Sequence, residues 1–179
     1  WVRILNHLRQ QAYLTSGVRI TFLDSREKNK LPYTFYFEGG VASYVKYLTR
    51  GVSPHHENVF YAKGEKEEIL VEVAFRYTEE FEIYEESFAN NIHTQEGGTH
   101  LTGFKAALTR GINDYAKKNN FFSVKDKDTG FTGEDVLEGI TAVVSVKMPE
   151  IQFEGQTKSK LGSVEARSAV ESVFGDAFN

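Results

Sequence analysis

Between Gly139 and Pro149 the chain has a single reading. Ile140, Ala142, Val144, Val146 and Met148 alternate with Thr141, Ser145 and Lys147, the period of two that makes a β-strand, and Pro149 closes it. A lone strand leaves its backbone donors and acceptors unpaired, so the rest of the chain must supply a sheet. Partners lie upstream: Val59 to Ala62, then Val71, Val73, Phe75 and Tyr77 alternating with Glu72 and Arg76, then a strand from about Phe81 to Phe88. An antiparallel sheet with one wet face is the simplest arrangement of these segments.

Helical periods surround the strands. Ile4, Leu5, Leu8 and Ala12 predict an opening helix stopped at Ser16-Gly17. Val18, Ile20 and Phe22, then Tyr33, Phe35 and Phe37, predict a hairpin around the polar loop Asp24 to Pro32. Gly39-Gly40 breaks that pattern, and Val41, Tyr44, Val45 and Leu48 begin a short amphipathic helix, so a domain boundary is placed at the glycine pair, dividing residues 1–40 from 41–179. Leu101, Phe104, Leu108, Ile112 and Tyr115 mark the longest helix, with Thr99 as its expected cap after Gly97-Gly98. Ala166, Ala169, Val170, Val173, Phe174 and Ala177 form the stripe of a last helix, with Ser163 as expected N-cap and Glu165 in its first turn.

Composition limits the chemistry. With 179 residues, 40% apolar, including 14 Phe and 9 Tyr, the chain can build a real core. It has no cysteine, which removes disulfides, Cys-based zinc sites and thiol catalysis and makes a reducing, cytoplasmic compartment the default. No apolar run is long enough for a membrane span, and no signal-peptide pattern opens the chain. It starts at Trp1 inside an expected helix, the pattern of an excised fragment. Lys and Arg number 21 against 25 Asp and Glu, a net charge of −4. The acids cluster from Glu65 to Glu86, and the bases Lys105, Arg110, Lys117, Lys118, Lys125 and Lys127 lie between Leu101 and Gly130, which suggests an electrically two-sided molecule.

Familiar catalytic devices are missing. There is no G-x-G-x-x-G, G-x-S-x-G or H-E-x-x-H. Asp126 to Gly130 fails as a calcium loop because its glycine comes one position early and Leu137 stands where a bidentate Glu is required. His55, His56 and His93 have no metal-ligand spacing, so no metal site is expected. What remains is the polar loop from Glu150 to Gly162, whose tip carries an amide donor at Gln156 and ammonium donors at Lys158 and Lys160, suited to an anion or simply solvated.

Gly97-Gly98-Thr99-His100-Leu101 with Gly103 and Phe104, the run Glu138 to Lys147, and Phe153-Glu154-Gly155-Gln156-Thr157-Lys158-Ser159-Lys160-Leu161-Gly162 occur in that order. Tyr13-Leu14-Thr15-Ser16-Gly17-Val18 and Phe37-Glu38-Gly39-Gly40 precede them. Together these blocks resemble the DNA gyrase B family, the ATPase component of bacterial type IIA topoisomerases, with the corresponding ATPase component of topoisomerase IV as close relative.

The resemblance implies an α+β fold. Residues 41–179 would be a transducer domain, a two-layer α/β sandwich with a left-handed βαβ unit shared with a ribosomal protein domain. It would be preceded in residues 1–40 by the C-terminal helix and hairpin of a GHKL-type ATPase domain. Gln156 and Lys158 would contact the γ-phosphate of ATP, with Thr157 between them and Lys160 outside the motif. The residues for adenine, Mg²⁺ and water activation would lie upstream, so the fragment alone is not expected to hydrolyse ATP. The implied activity is that of an ATP-dependent type II DNA topoisomerase, with the DNA gyrase A protein, a second copy of gyrase B and double-stranded DNA as partners. Arg110 either faces transported DNA or sits on an ordinary solvated helix face. A different class, an RNA-binding or ribosome-associated module of the same fold, is opposed by the net negative charge, the acidic sheet edge and the Gln156 to Lys158 loop. A MutL-type mismatch-repair ATPase is a third reading, and it should lack the long blocks around Gly97 and Glu138.

Overall fold

A computed structural model describes residues 1–26, 31–122 and 130–178. The opening helix α1 (Val2–Leu14) ends just before Gly17, whose φ of 81° is the left-handed geometry of a helix stop. The hairpin β1 (Ile20–Phe22) and β2 (Tyr33–Phe35) pairs antiparallel with Ile20 opposite Phe35, and it is shorter than the alternation suggested, leaving Val18 and Phe37 outside. Helix α2 (Gly40–Leu48) follows the glycine pair.

Five strands then form one sheet. These are β3 (Phe60–Lys66), β4 (Ile69–Tyr77), β5 (Tyr84–Ala89), β6 (Ile92–His93) and β7 (Ile140–Lys147), in the order β3-β4-β7-β5-β6. Two tight turns set its registers. Glu67 and Glu68 (φ 51° and 63°) join β3 to β4, and Asn90 and Asn91 (φ 49° and 62°) join β5 to β6, the positive-φ pair that a two-residue hairpin requires. Between β5 and β7 the chain crosses through α3 (Thr99–Lys118) and α4 (Gly133–Leu137), and β5 lies parallel to β7. The sheet is therefore mixed rather than antiparallel. Parallel neighbours need such a crossover, and the long helix supplies it.

The expected wet face is confined to the edges of the sheet, where Tyr61, Lys63 and Glu65 of β3 and Tyr84 of β5 are exposed. Val71, Val73, Phe75, Ala142, Val144 and Val146 pack with Phe104 and Leu108 of α3 and with Ala169, Val170 and Phe174 of α5 (Glu165–Phe178). Residues of the opposite parity, Ala74, Val143 and Phe88, pack with Tyr13 and Leu14 of α1 and with Val41, Tyr44 and Val45 of α2. Helices thus lie on both faces, α3 and α5 on one, and α2 with α1 from the preceding segment on part of the other. Alternation of apolar residues with Thr141, Ser145 and Lys147 conceals this, because Thr141, Val143 and Ser145 are buried as well as Ala142 and Val144.

The first helix is tied to the sheet by more than packing. Tyr13 stacks on Phe37 with ring centroids 3.7 Å apart and on Tyr44 at 4.9 Å. The Lys147 ammonium donates to the Leu14 carbonyl at 3.0 Å, where a helix C-terminus favours a cation. Gln10 and Tyr44 both donate to the half-sequestered Glu86 carboxylate.

Several expected side-chain roles change. Thr99 does not cap α3; it is the first helical residue, behind Gly98, and its hydroxyl donates to the Ser163 carbonyl at 2.6 Å. Ser163 Oγ accepts from the Gln152 N–H at 2.8 Å instead of capping α5. Tyr115 is exposed, and the buried side of α3 runs instead through His100, Phe104, Ala107 and Leu108. Helix α4 starts in a reciprocal capping box between Thr132 and Asp135, a device that apolar periodicity does not announce.

Candidate functional site

Beyond β7 the chain turns back on itself as a second, smaller hairpin. Gly162 and Ser163 N–H groups both donate to the Gln152 carbonyl, Glu154 N–H donates to Lys160 O at 3.0 Å, and Phe153 bridges Leu161. The returning arm is also laid against the entry to α3. Glu96 donates to Ser159, Leu161 to Gly97 and Thr99 to Leu161, at 2.9–3.1 Å. The polar loop is therefore held at its base by a ladder on both sides.

Gly97 and Gly98 make that ladder possible. Both have positive φ, 72° and 136°. A Cβ on Gly98 would press into the Leu161 carbonyl oxygen and come within 2.5 Å of its nitrogen, backbone that cannot yield. Gly103 serves the same end one turn on, where a Cβ would lie 2.6 Å from the Arg167 carbonyl of α5. The glycine block is thus a docking surface for the loop and the last helix.

Only the tip is free. The Lys158 N–H donates to Gly155 O at 3.0 Å, closing a turn in which Lys158 takes φ 56°. Gln156, Thr157 and Lys158 are exposed. Thr157 and Ser159 hydroxyls lie 3.3 Å apart. The two lysines differ: Lys160 is paired with Glu154 at 3.0 Å, whereas among the described residues no carboxylate pairs with Lys158, whose ammonium stands 5.9 Å above the Phe153 ring. A directed amide and an unneutralised ammonium on a fixed base can grip an anion presented from outside.

Arg110 lies elsewhere, on the exposed side of α3, with Nη1 3.8 Å from Glu171 of α5, a carboxylate that Arg167 also engages at 2.9 Å. Lys105 binds Glu85 at 2.6 Å, joining the basic helix to the acidic strand. Glu72 is buried beneath Tyr61 and Lys63, so the acidic stretch is only partly a surface. Lys125 and Lys127 fall outside the described residues. His56 contacts the Asn58 carbonyl and His93 stacks on Phe88. Among the described residues no group of three His, Cys, Asp or Glu could hold a metal ion.

One buried polar residue, His100, has no role assigned from sequence. It is fully buried behind Gly97-Gly98, with Nε2 3.2 Å from Thr94 Oγ1, which in turn meets Ser87 Oγ at 2.6 Å. Burial drives its pKa down to about 4. Its i, i+4, i+8 spacing with Phe104 and Leu108 is the available signal. Phe153, the ring beneath Lys158, likewise stands inside a recognised block without a role that its sequence position could reveal.

With this geometry in hand, comparison with known proteins is specific. The family model described as DNA gyrase B matches residues 40–179. The DNA gyrase B protein of Bacillus mycoides is 52% identical over 175 residues, 98% of this chain and 43% of the relative. That of Halalkalibacterium halodurans is 49% identical over 176 residues, 98% of this chain and 27% of the relative. The chain thus spans less than half the length of these curated relatives. Among solved structures, the 43K ATPase domain of Thermus thermophilus gyrase B, in complex with an aminocoumarin, superimposes with a TM-score of 0.85 at 40% identity, covering 98% of this chain and 46% of that one. The topoisomerase IV ATP-binding domain of Francisella tularensis, in complex with a small-molecule inhibitor, gives 0.79 at 26% identity, covering 98% and 46%.

Proposed function

The chain belongs to the DNA gyrase B family, and on that premise we propose that it is the coupling segment of an ATP-dependent type II DNA topoisomerase. Residues 1–40 close the ATPase domain, and residues 41–179 form the transducer, its β5-α3-β7 crossover being the left-handed βαβ unit. Gln156 and Lys158 are the residues that meet the γ-phosphate of ATP. The carrying observation is the loop itself: an exposed amide, and an ammonium that pairs with no carboxylate among the described residues, at the tip of a hairpin whose base is hydrogen-bonded into the start of α3.

Physical magnitudes support a sensor. Hydrogen bonds to charged groups contribute about 1.5–3 kcal/mol each, so two or three amount to roughly 3–6 kcal/mol. That is comparable with the roughly 5.5 kcal/mol that swings a two-state equilibrium from 1:99 to 99:1. Lys158 supplies a point charge to the terminal phosphate and Gln156 a directed neutral donor. Both contacts are lost when that phosphate leaves, so the loop and the helix behind it can report nucleotide state. Bound ATP with Mg²⁺ supplies the transferable phosphoryl group and its charge. This chain's part is to hold the terminal oxygens and to relay their presence through Leu161 and Gly98 into α3.

In the assembled enzyme the partners are the DNA gyrase A protein, a second copy of gyrase B and double-stranded DNA. Arg110, on the exposed face of α3, is the residue proposed to face the DNA. No helix among the described residues is long and apolar enough to cross a membrane. The negative supercoiling of a gyrase is favoured over the decatenation of topoisomerase IV by the higher identity to gyrase B proteins. In the full-length protein assembled with gyrase A, Lys158→Ala should cut ATP turnover and ATP-dependent supercoiling at least tenfold while DNA binding stays unchanged. Unaltered turnover would rule the reading out.

A further inference from the structure

The two lysines of the loop are treated differently by their surroundings. Lys160 is neutralised by Glu154 across the hairpin, and Lys158 is left with an aromatic ring. That ring is fixed. Phe153 bridges Leu161, which is fully buried, and packs against the main core, whereas the tip above it is held by the turn bond from Lys158 N–H to Gly155 O and the contact between the Thr157 and Ser159 hydroxyls. The turn folds Lys158 back over the hairpin base, so its ammonium lies 5.9 Å from the centroid, within the range at which the negative face of a ring attracts a cation. The ring thus offers the cation a seat that involves no counter-charge.

Resting on the reading of Lys158 as a terminal-phosphate ligand, we propose that Phe153 is a positioning residue that seats the Lys158 ammonium while no phosphate is present and takes it back when the phosphate leaves. Seat and phosphate then compete for one cation. A carboxylate in place of the ring would hold Lys158 as Glu154 holds Lys160, and it would repel the incoming anion. Bulk water in its place would give the ammonium no seat to return to when the phosphate leaves. A contact of this class at an exposed site shifts an equilibrium about two- to fivefold, enough to bias return of the side chain without blocking its departure.

The test uses the full-length protein with a non-hydrolysable ATP analogue, and ADP as control. Phe153→Leu keeps an apolar side chain and removes the ring face, and should tighten analogue binding about two- to fivefold. Phe153→Tyr should match the parent, and Phe153→Trp, with the stronger face, should weaken binding. ADP affinity should not move in any of them, and in a Lys158→Ala background the whole series should be flat. If Phe153→Leu fails to fold, the order of Phe, Tyr and Trp decides alone. A flat series in the parent background, or one that persists without Lys158, overturns the seat. Should Lys158→Ala itself leave analogue binding unchanged, the phosphate reading falls and the seat falls with it. If it weakens binding while the Phe153 series is flat, only the seat is lost.

Discussion

Gly98 shows how much a single residue can be asked to do. Its backbone lies against Leu161 so closely that any side chain would force the loop off the entry to α3. Gly98→Ala should therefore destabilise the protein by about 2 kcal/mol or more, by a mechanism of overpacking at a positive φ. Gly17 is the comparison: it also has positive φ, 81°, but nothing lies within 4 Å of its missing Cβ. Gly17→Ala should cost only the conformational penalty of about 1 kcal/mol. Urea unfolding of the two variants checks both values, and equal losses would mean that contact with Leu161 is not what demands glycine. The glycines are visible in the sequence as bends. Their partner, Leu161, is not, because a backbone approach between distant segments leaves no periodic signal. His100 makes a prediction of the opposite kind, in pH. Its folded pKa of about 4 lies below its ordinary 6.5, because burial disfavours the charged form. Between those values the unfolded chain binds a proton that the folded chain does not, so stability falls as pH drops from 6.5 to about 4. The full effect is roughly 3 kcal/mol. His100→Gln should flatten that part of the stability curve measured by denaturant unfolding across this pH range, and a slope that survives the substitution would assign it to other groups.

At the scale of elements, the strands that sequence alternation finds most clearly are those whose two faces differ in polarity. β4 and β7 are recognised, yet β7 is buried on both sides, so the face carrying Val143 and Ser145 reads as solvent-facing. α2 is recognised by its apolar spacing, but its position on that second face depends on packing against Ala74 and Phe88, which no local pattern encodes. The turns are harder still. Glu67-Glu68 carries none of the usual hairpin residues, although both adopt left-handed geometry. Replacing them with Asn-Gly should raise stability by about 1 kcal/mol, since both residues tolerate that conformation. An unchanged denaturation midpoint would show that the turn is not a point of strain. The loop tip is legible as an exposed polar segment, while the ladder beneath it, made by backbone groups of 96–99 and 152–163, has no sequence signature.

Across the whole molecule, α1 is joined to the sheet through Lys147, through Gln10 on Glu86, and through the ring of Tyr44, which lies between Tyr13 and Phe88. The loop stands at the far end of β7, where its base meets the start of α3, and α3 carries Arg110 along its exposed side. A pull on the tip is thereby placed in register with the longest helix. The most direct measurement of the central claim is the ratio of affinities for a non-hydrolysable ATP analogue and for ADP in the full-length protein, with Lys158 in place and after Lys158→Met. Losing one charge-assisted contact to the terminal phosphate predicts a fall in that ratio of about ten- to a hundredfold, with ADP affinity unchanged. A ratio that stays constant, or a loss shared equally by both nucleotides, would contradict the assignment of Lys158 to the terminal phosphate.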